Sequence, residues 1–434
     1  MSGRAIKSIR AMQVFTQRFH PGIEAVVTTE SGHVGRAVCT AGISIGSHEV
    51  KFAYDGGSKW GGMGVQNAVD NIHSILAPAL IGIDCADQYA VDTAMLNLRP
   101  NAKDELGGNA IAAISAAALK AGAAALDIPL YRHIGGANAA YLPVPGVPAA
   151  AGHRRYGGGV TTPDPKPTYA FMCHGFASFS EASYAGWEIQ ELWRKKMEKI
   201  GVYYSNYYDL YIIGSGRFGT DKELWELMSE TIIESGYADR IGIQVDVASD
   251  CYYDREAKLY RGLFSDKPKT RDELMELYVL AVRDYPFVII EDPFHEDDFD
   301  SHAELVRRVD IQIVGDDLFT TTPSRVIHGS KLGACNTVLL KVNQIGTISE
   351  TLEMVQLAYE SGYGVMPCES RGEYQAIADY CVGINACAIR EMAVGLVANR
   401  FLEIESELGD KARFMGTKGL KGKRFKHSYY LDKY

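Results

Sequence analysis

The chain has 434 residues, 47% hydrophobic and 23% charged, with a formal net charge of −10. That length exceeds one ordinary core and predicts two domains. The acidic balance leaves no general nucleic-acid footprint, and with no apolar run of 18 residues no transmembrane helix is expected.

The opening MSGRAIKSIR is basic but lacks an apolar core, so no signal peptide is expected. The eight cysteines are scattered, with no CxxC pair. Cys39, Cys173, Cys251 and Cys381 sit in or beside apolar runs, which predicts reduced structural residues and a cytosolic compartment. Residues 5–50 alternate as antiparallel strands do, with ESGH as a turn and GISIGSHEV as a glycine-bearing loop. The alanine-rich segment DELGGNAIAAISAAALKAGAAALDIPLYRHIGG reads as a buried helix. The three prolines of LPVPGVP break helical periodicity and predict a boundary near Asn138–Pro145. The domains expected are therefore residues 1–138 and 139–434. Residues 154–167 are Gly- and Pro-rich and read as a mobile loop. GWEIQELWRKKMEKIG, KELWELMSETIIES and RDELMELYVLAVRDY predict amphipathic helices. The basic, aromatic-bearing tail GLKGKRFKHSYYLDKY reads as a terminal extension, and neither nucleic acid nor membrane is an expected partner.

The segments FVIIEDPFHEDDF, IQIVGDDLFTTTP and NTVLLKVNQIGT each open with a short β-branched apolar run, as strands buried on both faces do. The runs end at Glu291, Asp316 and Lys341, in steps of 25 and 25 residues, the length of a strand plus a helix. Upstream, RIGIQVDVAS ends another such run at Asp246. Charged residues at successive strand C-termini are where a (β/α)8 barrel places its active site. Asp292 and Asp317 also read as caps of the helices that follow. Three converging carboxylates repel unless neutralised, and a hard divalent cation with oxygen ligands, Mg²⁺, is the expected neutraliser.

IEDPFHEDDF, VGDDLFTTTP and LLKVNQIGTISET resemble the signatures of the enolase family, and the resemblance runs over nearly the whole chain. It implies an α/β fold: an N-terminal α+β cap followed by a C-terminal (β/α)8-type TIM barrel. It also implies metal ligands Asp246, Glu291 and Asp316, with Ser44 binding a second Mg²⁺ and closing over substrate, and Lys341 as the base that takes the proton α to a carboxylate. His153 matches a loop histidine of the family. Arg390 stands where the family has a lysine that clamps the substrate carboxylate, and Arg grips a carboxylate bidentately. A homodimer or higher homo-oligomer is implied as well.

The chain also departs from that pattern. Tyr169 and Ala170 replace a Gln-Glu pair, and Gly216 stands at or near another glutamate. Glu369-Ser370-Arg371-Gly372-Glu373 replaces His-Arg-Ser-Gly-Glu, with Ser370 and Arg371 at the substrate and Arg371 able to hold a phosphate or phosphonate. The half that forms an enolate is kept, and the half that protonates a leaving hydroxide is not, unless Glu369 or His174 replaces it. The reading is a Mg²⁺-dependent lyase or enolate-forming transferase acting on a small phosphorylated or phosphonylated carboxylate. The expected form is a specialised relative, such as a carboxyphosphonoenolpyruvate synthase of phosphonate biosynthesis, with water elimination slower by roughly 10³-fold or more. The alternatives are ordinary phosphopyruvate hydratase and a catalytically silent binding module. Buried ionisable groups cost desolvation energy that a pure scaffold has no need to meet.

Overall fold

The computed structural model describes residues 3–16, 19–42, 45–152, 154–157, 166–205 and 210–425. Ser44, His153 and the end of the basic tail (426–434) lie outside them.

The cap opens with β1 (Ile6–Phe15), β2 (Pro21–Thr29) and β3 (Val34–Cys39), an antiparallel sheet in that order. Alternation aims Ile23, Ala25 and Val27 of β2 at the helix α1 (Gly108–Ala125), and all three are buried. Small residues let α1 lie directly on the sheet. A Cβ on Gly35 would stand 2.0 Å from the Ala117 carbonyl oxygen and 2.4 Å from the Ala121 nitrogen. By length and composition α1 alone among the described helices could cross a membrane, but most of it is buried in the cap.

The barrel strands are β4 (Val144–Gly152), β5 (Thr168–Cys173), β6 (Ile241–Asp246), β7 (Phe287–Glu291), β8 (Gln312–Gly315), β9 (Thr337–Leu340), β10 (Gly364–Pro367) and β11 (Ala388–Met392). They pair in chain order, and β11 pairs with β4. Cys387 N–H donating to the Val365 carbonyl at 3.0 Å joins the last two strands. Val144, Met172, Ile289, Val314, Leu339 and Met366, from six of the strands, form a buried apolar cluster.

The barrel is not uniformly parallel. β5 runs antiparallel to both β4 and β6. Neighbouring antiparallel strands need only a hairpin connection, whereas a parallel pair needs a crossover helix. The helices α2 (Phe179–Lys199) and α3 (Asp221–Glu234) both lie between β5 and β6. Residues α4 (Arg271–Asp284), α5 (Phe299–Arg308), α6 (Pro323–Leu332) and α7 (Ile348–Glu360) are the crossovers of the parallel part. The three amphipathic helices expected from the sequence are α2, α3 and α4. Capping boxes at Thr220/Glu223 and Thr270/Glu273 begin α3 and α4.

The cap sits against the mouth where the parallel strands end. Val50 N–H donates to the Gln344 carbonyl (2.9 Å), Asn343 Nδ2 to the Thr40 carbonyl (2.8 Å), and Ser47 Oγ to Glu296 Oε1 (2.6 Å).

Candidate active site

Parallel register brings the ionisable strand ends together. Glu291 lies opposite Asp246 on one side and Val314 on the other, so Asp316 follows just beyond its neighbour. Lys341 follows β9 on the next strand. Across the mouth the order is Lys341, Asp316, Glu291, Asp246, all buried.

Each member has its own supports. Lys341 Nζ donates to Asp316 Oδ2 at 2.5 Å, and Gln344 Nε2 donates to Asp316 Oδ1 at 2.7 Å. Thr321 Oγ1 donates to Gln344 Oε1 (2.7 Å) and accepts from Lys341 N–H (3.0 Å), holding both Asp316 partners in place. Gln244 Nε2 donates to Glu291 Oε2 at 3.3 Å, while Glu291 Oε1 is buried with no hydrogen-bond partner. Its nearest cation is Arg390 Nη1 at 3.9 Å. Asp246 Oδ2 accepts from Lys166 Nζ and, at 2.5 Å, from Arg390 Nη1. Arg390 owes its place to an irregularity in β11. Ile389 pairs with Pro145 but Met392 with Gly146, and Glu391 and Met392 have φ of +64° and +65°. Such a bulge re-aims a side chain.

The charges follow this geometry. Burial opposes ionisation of Asp246, but Lys166 and then Arg390 outweigh it and hold the carboxyl below its ordinary range. Burial, with the Asp246 charge beside it, pushes Glu291 up to about 8. Burial works against the Lys341 ammonium too, yet the Asp316 carboxylate outweighs it and raises Lys341 above its ordinary value. Neighbouring cations would be expected to lower Lys341 towards neutrality. Arg371 does pull that way, but an Asp316 paired only with Lys341 pulls harder.

The residues fit a hard divalent cation. Carboxylate oxygens of Glu291, Asp292 and Asp316 lie within 4.8 Å of one another, and Glu291 Oε1 lacks a partner. The donors are all oxygen, as Mg²⁺ requires. Asp292 already spends both oxygens, accepting from the backbone N–H groups of Asp316 (3.0 Å) and Asp317 (2.9 Å), so it shapes the loop. Asp246, outside that trio, accepts from the side chains of Lys166 and Arg390 and, at 3.4 Å, from Thr168 Oγ1.

Other residues singled out in the sequence stand elsewhere. Arg371 is fully buried and bidentate on Glu49 of the cap, through Nη1 to Oε2 and Nη2 to Oε1 (2.6 Å). In this structure it joins cap to barrel. Glu369 Oε1 accepts from the Tyr374 N–H (3.2 Å) in its own buried loop, where Ser370 also lies. His174 is at the wrong end. Because β5 is antiparallel, Thr168 lies opposite Asp246 but Cys173 lies opposite Ile241, where β6 begins. His174 therefore sits at the far mouth, bonded to Thr417 Oγ1 (3.2 Å) and edge-on to Phe425. It cannot supply a proton at the carboxylate row. Tyr169 faces outward, donating to Asp221 Oδ2 (2.5 Å) and accepting from Trp225 Nε1 (3.0 Å). Ala170, opposite Gln244, lies one step in from Thr168 on the same face. Gly216 has a φ of +76° and open space where a Cβ would be. A cavity of about 590 Å³ lies outside the barrel between α3 and α4, lined by Trp225, Phe264 and Leu277 among others. It includes none of the charged row.

Lys166, Thr321, Gln344 and Glu49 were not found from the sequence. LLKVNQ carries Gln344 three residues after Lys341, one helical turn on, and that spacing was the one available signal.

Residues 140–423 match the family model described as "Enolase, C-terminal TIM barrel domain", and residues 6–134 match "Enolase, N-terminal domain". The chain belongs to the enolase family. It is 37% identical over 418 residues to the protein named Enolase of Methanocaldococcus jannaschii, covering 93% of this chain and 96% of that one. The enolase of Methanopyrus kandleri is 37% identical over 422 residues, covering 94% and 97%. That of Bifidobacterium adolescentis is 35% identical over 436 residues, covering 96% and 98%. The chain is thus an enolase-superfamily enzyme of the lyase class, with the family's cap and TIM barrel.

Proposed function

We propose that this enolase-family chain catalyses the phosphopyruvate hydratase reaction, interconverting 2-phosphoglycerate and phosphoenolpyruvate through an enolate with Mg²⁺ held by Asp246, Glu291 and Asp316. The observation that carries it is the buried row Lys341, Asp316, Glu291, Asp246 on four neighbouring strands. The specialised phosphonate reading has no support among relatives each named Enolase, and water elimination is the better-supported reaction. A silent module is disfavoured by the cost of burying four ionisable groups side by side.

Lys341 is the base. Asp316 orients its Nζ, and Thr321 fixes the backbone that carries it. While Asp316 is unneutralised, Lys341 stays an ammonium. A divalent cation on the carboxylates would remove that raising influence and stabilise the charge of the enolate. Arg390, aimed by its bulge, grips the substrate carboxylate. The cap, clamped by Glu49 and Arg371, limits water at the mouth. We also propose the division at residues 138/139, a cytoplasmic location and a homodimer or higher oligomer, in keeping with the family resemblance.

Phosphoenolpyruvate formation from 2-phosphoglycerate with saturating Mg²⁺ is the test. Turnover on the order of 10 s⁻¹ supports water elimination. Turnover roughly 10³-fold lower would mean that the lack of a carboxylate at Ala170 and Gly216 is decisive, and would return the chemistry to another enolate-derived reaction.

A further inference from the structure

Lysines flank the carboxylate row at both ends. Lys341 follows β9 beside Asp316, and Lys166 precedes β5 beside Asp246. Lys341 is expected of the base. Lys166 has no such assignment, although its ammonium is buried and rests on one of the three proposed metal ligands. Its placement is built rather than incidental. The Tyr252 hydroxyl, from the turn after β6, donates to the Lys166 carbonyl, and Gly152 N–H of β4 donates to the Pro167 carbonyl at 3.1 Å. Strand β4 and the turn after β6 thus fix the backbone that carries this side chain. Thr168 Oγ1 and Arg390 Nη1 complete the contacts on the same Asp246 oxygen.

We propose that Lys166 is an internal cation that holds Asp246 until a divalent metal takes that carboxylate, and that it then becomes a positive contact for the anionic end of the substrate. This rests on the metal assignment above. Asp246 Oδ2 receives Lys166, Arg390 and Thr168 together, and adding a metal there would crowd like charges, so the flexible ammonium yields. A lysine suits this better than arginine, being a point charge on a four-carbon stem that moves without losing a planar fork. Once free, it faces the row from the end opposite Lys341. The two lysines would then bracket a dianionic phosphoryl or phosphonyl carboxylate, with Arg390 beside Lys166 at the Asp246 end. No covalent step is involved.

Calorimetric titration of the full chain with Mg²⁺ alone, then with phosphonoacetate at saturating Mg²⁺, tests this. Lys166→Met is expected to bind Mg²⁺ about tenfold more tightly, because a competing cation is gone, and phosphonoacetate about tenfold more weakly, because a charge-assisted contact is lost. Lys166→Arg is expected to keep metal affinity near wild type. Opposite movements in one variant would not arise from a merely structural lysine, whose loss weakens both. Weaker or unchanged Mg²⁺ binding in a folded Lys166→Met chain overturns the proposal, and so does unchanged phosphonoacetate affinity. Wild-type chain that binds no Mg²⁺ overturns the metal assignment itself, which is a separate result from a failure of Lys166.

Discussion

Replacing Lys341 by Met tests chemistry and stability together. The ammonium and Asp316 Oδ2 are 2.5 Å apart and both are buried. Removing one partner of a buried pair leaves the other charge uncompensated, at about 3–5 kcal/mol. The unfolding entropy of a chain of 434 residues is on the order of 0.9 kcal/mol per kelvin, so Tm should fall by about 3–6 °C if the chain unfolds as one unit. The pH dependence follows from the direction of the shift. Lys341 is raised in the folded chain, so its contribution is complete below the unfolded value, about 10.4, and is lost only as pH climbs through the higher folded value. The gap between wild type and variant should therefore be level from about pH 6 to 9. Saturating Mg²⁺ should narrow it, since a cation on Asp316 replaces the lost charge. In the same variant, exchange of the substrate α-proton with D₂O should drop by roughly 10²–10⁴-fold. Differential scanning calorimetry and proton NMR give the two readouts. A Lys341→Met chain with wild-type Tm and wild-type exchange would refute the reasoning at both levels.

Asp316→Ala should lose most Mg²⁺ affinity by calorimetry, because it removes an oxygen ligand that Gln344 and Lys341 hold in place; unchanged affinity would rule out the ligand set. His174 is lowered to about 4 by burial, so it favours the native state above its unfolded value of about 6.5 and costs up to about 3 kcal/mol as pH falls to 4. Denaturant melts should show His174→Gln with a shallower loss over that window, and catalysis in that variant near wild type at pH 7.5. Gly35→Ala should destabilise the cap by about 1–3 kcal/mol or more, since its Cβ meets backbone atoms of α1; an unchanged melt would mean that α1 shifts freely.

The buried row of ionisable strand ends was legible because each ends a β-branched run at a regular spacing. Asp246, Glu291, Asp316 and Lys341 owe their adjacency to parallel register, which local pattern encodes. Lys166 was hidden for the opposite reason. It lies in a Gly- and Pro-rich stretch without period, and only the antiparallel run of β5 brings it to Asp246. That reversal also explains His174, which follows an apolar run as Glu291, Asp316 and Lys341 do, yet at the end of a strand pointing away. Glu49 and Arg371 are 322 residues apart, and no local signal links a cap loop to a barrel loop. The first barrel strand, β4, begins among the prolines of LPVPGVP.

The most direct measurement is proton NMR of 2-phosphoglycerate in D₂O with the wild-type chain, with Mg²⁺ and with excess chelator. Enolate formation by Lys341 beside a metal-holding carboxylate row predicts loss of the C2 proton signal with Mg²⁺ present and none with chelator. A C2 signal that persists for hours with Mg²⁺ and folded enzyme would contradict it.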